Sequence, residues 1–307
     1  MDLSIVTTLY CSAPYIEEFY RRASAAAKQI TSDYELIFVD DGSPDNSLDV
    51  ALSLYARDPR VRVIELSRNF GHHRAIMTGL EHVKGDLVFL LDSDLEEAPE
   101  LLHRFYPEMQ ATGADVAYGV QRSRRGGFFE KMTGDLFYVI FNRLSAVPIP
   151  ANAITARLMK RPYVKALVQH KDREICLAAL YTITGFRQVA LPVEKGHKGR
   201  TTYNLARRGT ALVDAITSFS NRPLVFIFYV GSVVVTVSTV AGFALIVRVL
   251  FFGSFLPGWA SLMVSLWFLG GLMIFCIGIV GIYLSRVFSE TKERPYTVIR
   301  QLHERSE

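Results

Sequence analysis

Cysteine is scarce in this chain. The 307 residues contain three, Cys11, Cys176 and Cys276, far apart and among apolar neighbours. That spacing excludes a disulfide framework and a paired-cysteine zinc site, and it reads as reduced thiols facing a cytosol. A large charge excess is also lacking: 34 Lys and Arg against 30 Asp and Glu leave a net charge of +4. Such a balance gives no reason to expect nucleic acid, and it fits a protein near an anionic membrane face. No Walker loop and no G-x-G-x-x-G occurs, which removes the common nucleotide fingerprints. Repeats, low-complexity tracts and a recognisable Cys–His–Asp context are missing too. Met1 leads within two residues into SIVTTLY, a strand pattern rather than a leader. The globular part is therefore expected to remain in the cytoplasm.

Apolar residues are abundant, at 50% of the chain, and their excess lies in the last third. Two runs, 224–252 and 260–287, are each long enough to cross a bilayer. The link 253–259 is short and carries Gly and Pro, so the pair is expected as an antiparallel hairpin. Arg207, Arg208, Arg222, Arg286, Lys292 and Arg294 then share one side, while Arg248 lies next to the far loop and can snorkel. The positive-inside rule places the globular part and both termini on the cytoplasmic side of an inner membrane. Residues 204–222 oppose Arg207 and Arg208 to Leu205, Leu212, Val213, Ile216 and Phe219, a helix for the bilayer surface.

The first two-thirds alternate strand and helix patterns. Strands are expected at 4–10, 35–39, 61–66, 86–91, 115–120 and 187–193, and helices at 14–30, from the 40–45 turn through Leu54, from the 67–73 loop through His82, and at 99–112, 128–147, 162–170 and 175–184. Residues 148–159 read as irregular. A strand spacing of about 25 to 30 residues suits crossover helices, so the fold class is α/β with a doubly wound, mostly parallel sheet. The expected organisation is a globular domain over 1–203, the amphipathic helix over 204–222, the hairpin over 223–288 and a cytosolic tail over 289–307.

Within this frame, LVFLLDSDLEE (87–97) reads as a buried strand running into Asp92, Asp94, Glu96 and Glu97. Ligands of open α/β sheets bind beyond the carboxyl ends of strands. Carboxylates crowded there repel unless a cation lies among them, and oxygen ligands suit Mg2+ or Mn2+. The plain alternative is a solvated acidic turn. A second acidic turn, DDGSPDNS (40–47), ends the second strand.

The order of DDGSPDNS, RNFGHHRAIMTG, GDLVFLLDSDLEEAPE, a basic loop, ITSFSNRPL and a two-helix hairpin resembles the family-2 polyprenyl-phosphate glycosyltransferases of GT-A type. That group includes dolichyl-phosphate mannose synthase-like and bacterial undecaprenyl-phosphate enzymes, and the resemblance covers nearly the whole chain. It implies inverting transfer from a UDP-sugar donor to a polyprenyl phosphate in the lipid bilayer, with homo-oligomers through the hairpin compatible with it. It also implies roles. Asp40 and Asp41 take the nucleoside, where an Asx turn capping the next helix is the structural alternative. Asp92 and Asp94, with Glu96 at a position usually Gln, meet a divalent cation at the diphosphate. Arg122 faces phosphate, and Arg68 lies near the donor. Asp94, Arg122 and Arg200 are the catalytic candidates; Arg122, Lys198 and Arg200 are those for the acceptor phosphate. His72 and His73 lack carboxylates at ligand spacing and read as neighbours of the site or surface residues.

The chain departs from the family at three places. Thr155 stands where an Asp is usual before Arg157, Leu158 and Met159. Gly199 to Tyr203 lacks the usual Lys, for which Lys198 or Arg200 could substitute. Cys11-Ser12 replaces an Asn-Glu after Tyr10. A hydroxyl-acceptor membrane glycosyltransferase and a degenerate scaffold are the alternatives; Thr155 weakens the first, and retention of Asp92 and Asp94 weakens the second.

Overall fold

The computed structural model describes residues 1–121, 150, 152–172, 175–194, 222–252 and 258–305. The expected helix 128–147, most of the loop 194–203 and the amphipathic stretch 204–221 lie outside them. The chain divides into two units, one holding the sheet together with the last residues, the other the two long apolar helices.

The first unit is built on one sheet. Strands β1 (Leu3–Leu9), β2 (Tyr34–Asp40) and β3 (Val61–Leu66) are buried along their whole length. β4 (Leu87–Leu90) is buried from its second residue. Near-continuous apolar runs of this kind suit parallel strands covered on both faces. Helices α1 (Ala13–Lys28), α2 (Ser47–Arg57) and α3 (His72–Glu81) connect them. Pro14 begins α1, where its missing N–H costs nothing, and Ile16, Phe19, Ala23, Ala26 and Ala27 form its buried stripe. Phe19 meets Phe38 edge-on at 6.0 Å between ring centroids.

A 3-10 turn at Pro99–Leu101 and α4 (Leu102–Thr112) lead to β5 (Val116–Gln121). β6 (Ala153–Lys160), α5 (Arg161–Leu167), α6 (Leu177–Ile183) and β7 (Gln188–Val193) follow. The order across the sheet is β7-β5-β6-β4-β1-β2-β3-β8, where β8 is Ile299–His303. The β4-β1-β2-β3 block is parallel throughout, with its winding reversed between β1 and β4. Here lies the crevice that doubly wound sheets offer to ligands.

Two strands differ from the sequence expectation. β6 replaces the irregular stretch over 148–159 and pairs antiparallel with both β4 and β5. β8 replaces a plain tail and pairs antiparallel with β3. The sheet is therefore mixed. Ala, Arg, Leu, Met and Lys in β6 carry little strand propensity, so neighbouring strands impose its conformation. β8 is a polar edge strand held by distant partners. Val298 O accepts from Ser67 N at 2.9 Å, Arg300 pairs with Glu65 at 2.9 Å, and Thr297 and Thr78 share a 2.8 Å hydrogen bond.

The deepest ion pair also reaches this segment. Arg62 donates to Glu35 at 2.7 Å, to the His82 carbonyl at 2.8 Å and to Glu304 at 2.7 Å. Glu35 also accepts from the Lys84 amide at 2.7 Å and from the Ser4 hydroxyl.

In the second unit, α7 (Arg222–Phe252) has 31 residues and α8 (Trp259–Thr291) has 33. At 1.5 Å per residue both exceed the hydrocarbon thickness of about 30 Å. Leu224–Ala241 and Ser265–Thr291 each have a mean hydropathy of 2.2. Phe226, Phe228 and Trp267 are exposed on these helices. Both are long and apolar enough to cross a membrane.

Removing Arg62 strands the Glu35 carboxylate in the core. Arg62→Ala is expected to destabilise the first unit by about 3 kcal/mol, read as a lower thermal midpoint. Adding Glu35→Gln to that variant should recover part of the loss.

Candidate active site

The carboxyl ends of β1, β2 and β4 converge at the winding reversal. β2 delivers Asp40 and Asp41, both almost fully buried. Asp41 accepts from the Phe70 amide at 2.7 Å and the Gly71 amide at 3.0 Å, tying the end of β2 to the start of α3. Gly42 between them has φ +63°, and a Cβ there would lie 2.5 Å from Asn69 N and 2.6 Å from the Arg68 carbonyl carbon. Only glycine meets both the left-handed backbone and the close approach.

The helix-capping alternative for this turn falls to Asp45. Its Oδ1 accepts from Ser47 N at 3.2 Å, and its Oδ2 from Ala13 N at 3.2 Å, so it supports the starts of α2 and α1. Asp40 is met by the Ser43 amide at a long 3.4 Å and by the Gly42 amide. Its Oδ1 is buried and has no hydrogen-bond partner among the described residues. Burial pushes Asp40 up from 3.8 to about 6, with Glu65 and Asp41 adding to it. Burial likewise raises Asp41, against the pull of its two amide donors. A buried acceptor left without a partner is the kind of group that a ligand N–H or hydroxyl satisfies.

The β4 end divides its four carboxylates. Glu97 is buried and accepts from Thr155 N at 3.1 Å and Ala156 N at 2.7 Å, which fastens the start of β6. It therefore does not join the acidic group. Asp92 is about one-quarter exposed, and Asp94 Oδ1 accepts from the Glu96 amide at 3.1 Å. The intervening Ser93 is buried and donates to the Thr8 carbonyl at 2.9 Å. Leu95 follows at φ +62°, a left-handed turn that bends the loop back. Among the described residues no three His, Cys, Asp or Glu are close enough together to hold a metal ion. The expected three-carboxylate set of Asp92, Asp94 and Glu96 is thus not assembled. One or two carboxylates completed by substrate phosphates is the Mg2+ pattern that Asp92 and Asp94 fit.

His72, at the first position of α3, joins this group. Its Nδ1 is 3.0 Å from Thr8 Oγ1, and its Nε2 is 3.4 Å from Asp92 Oδ1. The sequence offered one sign of this: α3 opens with two histidines and no acidic residue. Arg68 is exposed over the Phe70 ring at 4.1 Å and donates to the Asn69 carbonyl. Arg122, Lys198 and Arg200 lie outside the described residues. Beside His72 opens a cavity of about 170 Å³ that His73, Thr155, Arg157, Tyr181 and Gln188 also line. Thr155, at the family's Asp position, faces this space.

Residues 4–168 match the domain described as Glycosyl transferase family 2. The chain belongs to that family. It is a glycosyltransferase, and the mixed sheet just described is its core. A protein of Mycobacterium tuberculosis (strain CDC 1551 / Oshkosh), named among glycosyltransferases, is 55% identical over 99% of this chain and 89% of its own length. A prophage bactoprenol glucosyl transferase homolog of Escherichia coli (strain K12) is 30% identical, over 98% of this chain and 99% of its own. The bactoprenol glucosyl transferase of Shigella phage SfII is 29% identical, over 99% of both chains.

Two variants probe this glycosyltransferase site. A carboxylate raised by burial weakens the fold as pH climbs from 3.8 to about 6. Asp40→Asn should therefore match the wild type below pH 4 and exceed it above pH 6, by up to about 3 kcal/mol, in thermal-melt series across pH. The same change should weaken binding of the sugar donor. Cys11 has φ +53°, a conformation Asn tolerates better than Cys. Cys11→Asn is expected to stabilise by about 1 kcal/mol, read as a raised melting temperature.

Proposed function

We propose that the protein transfers a sugar, with inversion, from a UDP-sugar to the phosphate of a membrane polyprenyl phosphate, of the undecaprenyl kind. One observation carries this reading. The chain combines a family-2 crevice with two membrane-length apolar helices, and nearly its whole length aligns with relatives named for bactoprenol. α7 and α8 would span the inner membrane, with the glycosyltransferase unit on the cytoplasmic side.

The crevice supplies roles for the chain's own groups. Asp40 Oδ1 would accept a uracil N–H or a ribose hydroxyl. Asp41 keeps the 68–71 loop against the nucleoside. Asp92 and Asp94 would hold Mg2+ or Mn2+, which when bound neutralises charge on the departing diphosphate. His72 sets the orientation of the Asp92 carboxylate. Arg122, Lys198 and Arg200 are the candidates for gathering the acceptor phosphate. That acceptor needs little help from a base: the second pKa of a phosphate monoester is about 6, so it is largely ionised at neutral pH. Thr155 in place of Asp is compatible with such an acceptor and ill-suited to a sugar hydroxyl.

The test uses the full chain in membranes with radiolabelled UDP-glucose and other UDP-sugars. Label should enter an acid-labile, organic-extractable lipid when undecaprenyl phosphate is supplied, and not when undecaprenol is. Asp94→Ala in metal-replete buffer should lower transfer by at least about 100-fold. Equal labelling of the free alcohol would replace the phosphate acceptor with a hydroxyl. Undiminished transfer by Asp94→Ala would remove the metal role.

A further inference from the structure

The cavity beside His72 is about 170 Å³, smaller than the roughly 300 Å³ at which drug-sized pockets begin. It has room for one ring and not for a whole nucleotide sugar. Two of its polar lining groups are set by their other contacts. His73 Nδ1 lies 3.0 Å from the Ile175 carbonyl. A carbonyl only accepts, so Nδ1 carries the proton and the neutral ring keeps a lone pair at Nε2. Neighbouring His72 faces other partners: its Nε2 lies 3.4 Å from the Asp92 carboxylate, and its Nδ1 3.0 Å from the Thr8 hydroxyl. The two histidines thus have different tasks, with the first turned toward the acidic loop.

Arg157 supplies the complement. It is about 4% exposed, lies over the Tyr181 ring at 3.2 Å, and donates Nε to the Thr155 carbonyl and Nη2 to the Ile154 carbonyl. Among the described residues it has no carboxylate partner, and its Nη1 makes no hydrogen bond. A buried cationic donor and a bare ring acceptor on one small cavity match a group that both gives and accepts. A sugar hydroxyl does both. A phosphate oxygen only accepts, so it would face the His73 lone pair without a proton between them.

Resting on the UDP-sugar reading, we propose that His73 is a specificity-determining residue, whose Nε2 accepts a hydroxyl of the transferred sugar held in the cavity with Arg157. His72 couples this pocket to Asp92, so the sugar lies next to the group proposed for its diphosphate.

The experiment compares wild type, His73→Ala and His73→Gln, all full length in detergent, by titration with UDP, UDP-glucose, UDP-galactose and UDP-N-acetylglucosamine. Monodeoxy analogues of the tightest donor follow. Both variants should bind UDP as the wild type does, which also reports an intact fold. His73→Ala should lose about tenfold in affinity for the UDP-sugar, and His73→Gln, whose amide oxygen can accept, should recover part of it. One monodeoxy donor should bind the wild type about tenfold more weakly, and that penalty should vanish in His73→Ala. A penalty that persists in His73→Ala, or a parallel loss of UDP affinity, overturns the assignment of His73 alone. Failure of the wild type to bind any UDP-sugar overturns the donor reading and this assignment with it.

Discussion

The two hydrogen bonds from the Phe70 and Gly71 amides to Asp41 hold the site together. They join the end of β2 to the first turn of α3 across the crevice where the sheet reverses its winding. A buried carboxylate carries a desolvation cost, visible as its raised pKa, and amide donors of this charged kind offset it. The contact also needs Gly42, because any side chain there would collide with the backbone of residues 68 and 69. On its other side the same loop is fixed by Ser67 N donating to Val298 O. The α3 start is therefore set from two directions. His72 and His73 owe their positions to it, one against Asp92 and the other toward the cavity.

Charge in the crevice is divided by function. Of the carboxylates at the strand ends, Asp41, Asp45 and Glu97 are committed to backbone amides and shape the loops. Asp40 retains a buried oxygen with no partner among the described residues, and Asp92 is partly open to the crevice. The first group makes the local structure stable, and the second leaves acceptors where a ligand can use them. Such unsatisfied groups are a cost to the folded protein, of the kind that binding sites carry. At the far side of the sheet Arg62 pairs with buried Glu35 and with the exposed Glu304, which ties the last residues of the chain to its core.

Those parts of the fold with strong local signals were legible in the sequence. β1 to β4 are rich in apolar residues and bounded by Gly, Asp and Pro, and the α/β class follows from their alternation with helices. The long apolar helices are equally plain. β6 and β8 were not legible, since their residues prefer other conformations and only strands distant in sequence make them extend. At the site, the pairing of Asp40 with Asp41 and the placement of Asp92 could be read from motif order. The diversion of Glu97 could not, because it depends on β6, itself unseen. His72 was read only as a neighbour of the site or a surface residue, for a related reason. Its partners, Thr8 and Asp92, come from strands β1 and β4, and adjacency of these two is a property of the winding, not of spacing along the chain.

Thr155 shows why the reading of the reaction does not hinge on one missing side chain. Its amide, not its hydroxyl, is what Glu97 holds, so the backbone at this position is fixed whatever residue stands there. Replacing an Asp with Thr removes a negative charge from the cavity without moving its wall. For a hydroxyl nucleophile that would be the loss of a base. For an anionic nucleophile it is the loss of a repelling neighbour. With no carboxylate side chain at this position to act as a base, an acceptor that arrives already charged is favoured. The proposed polyprenyl phosphate meets that condition, and the two apolar helices give a reason for it to be close at hand.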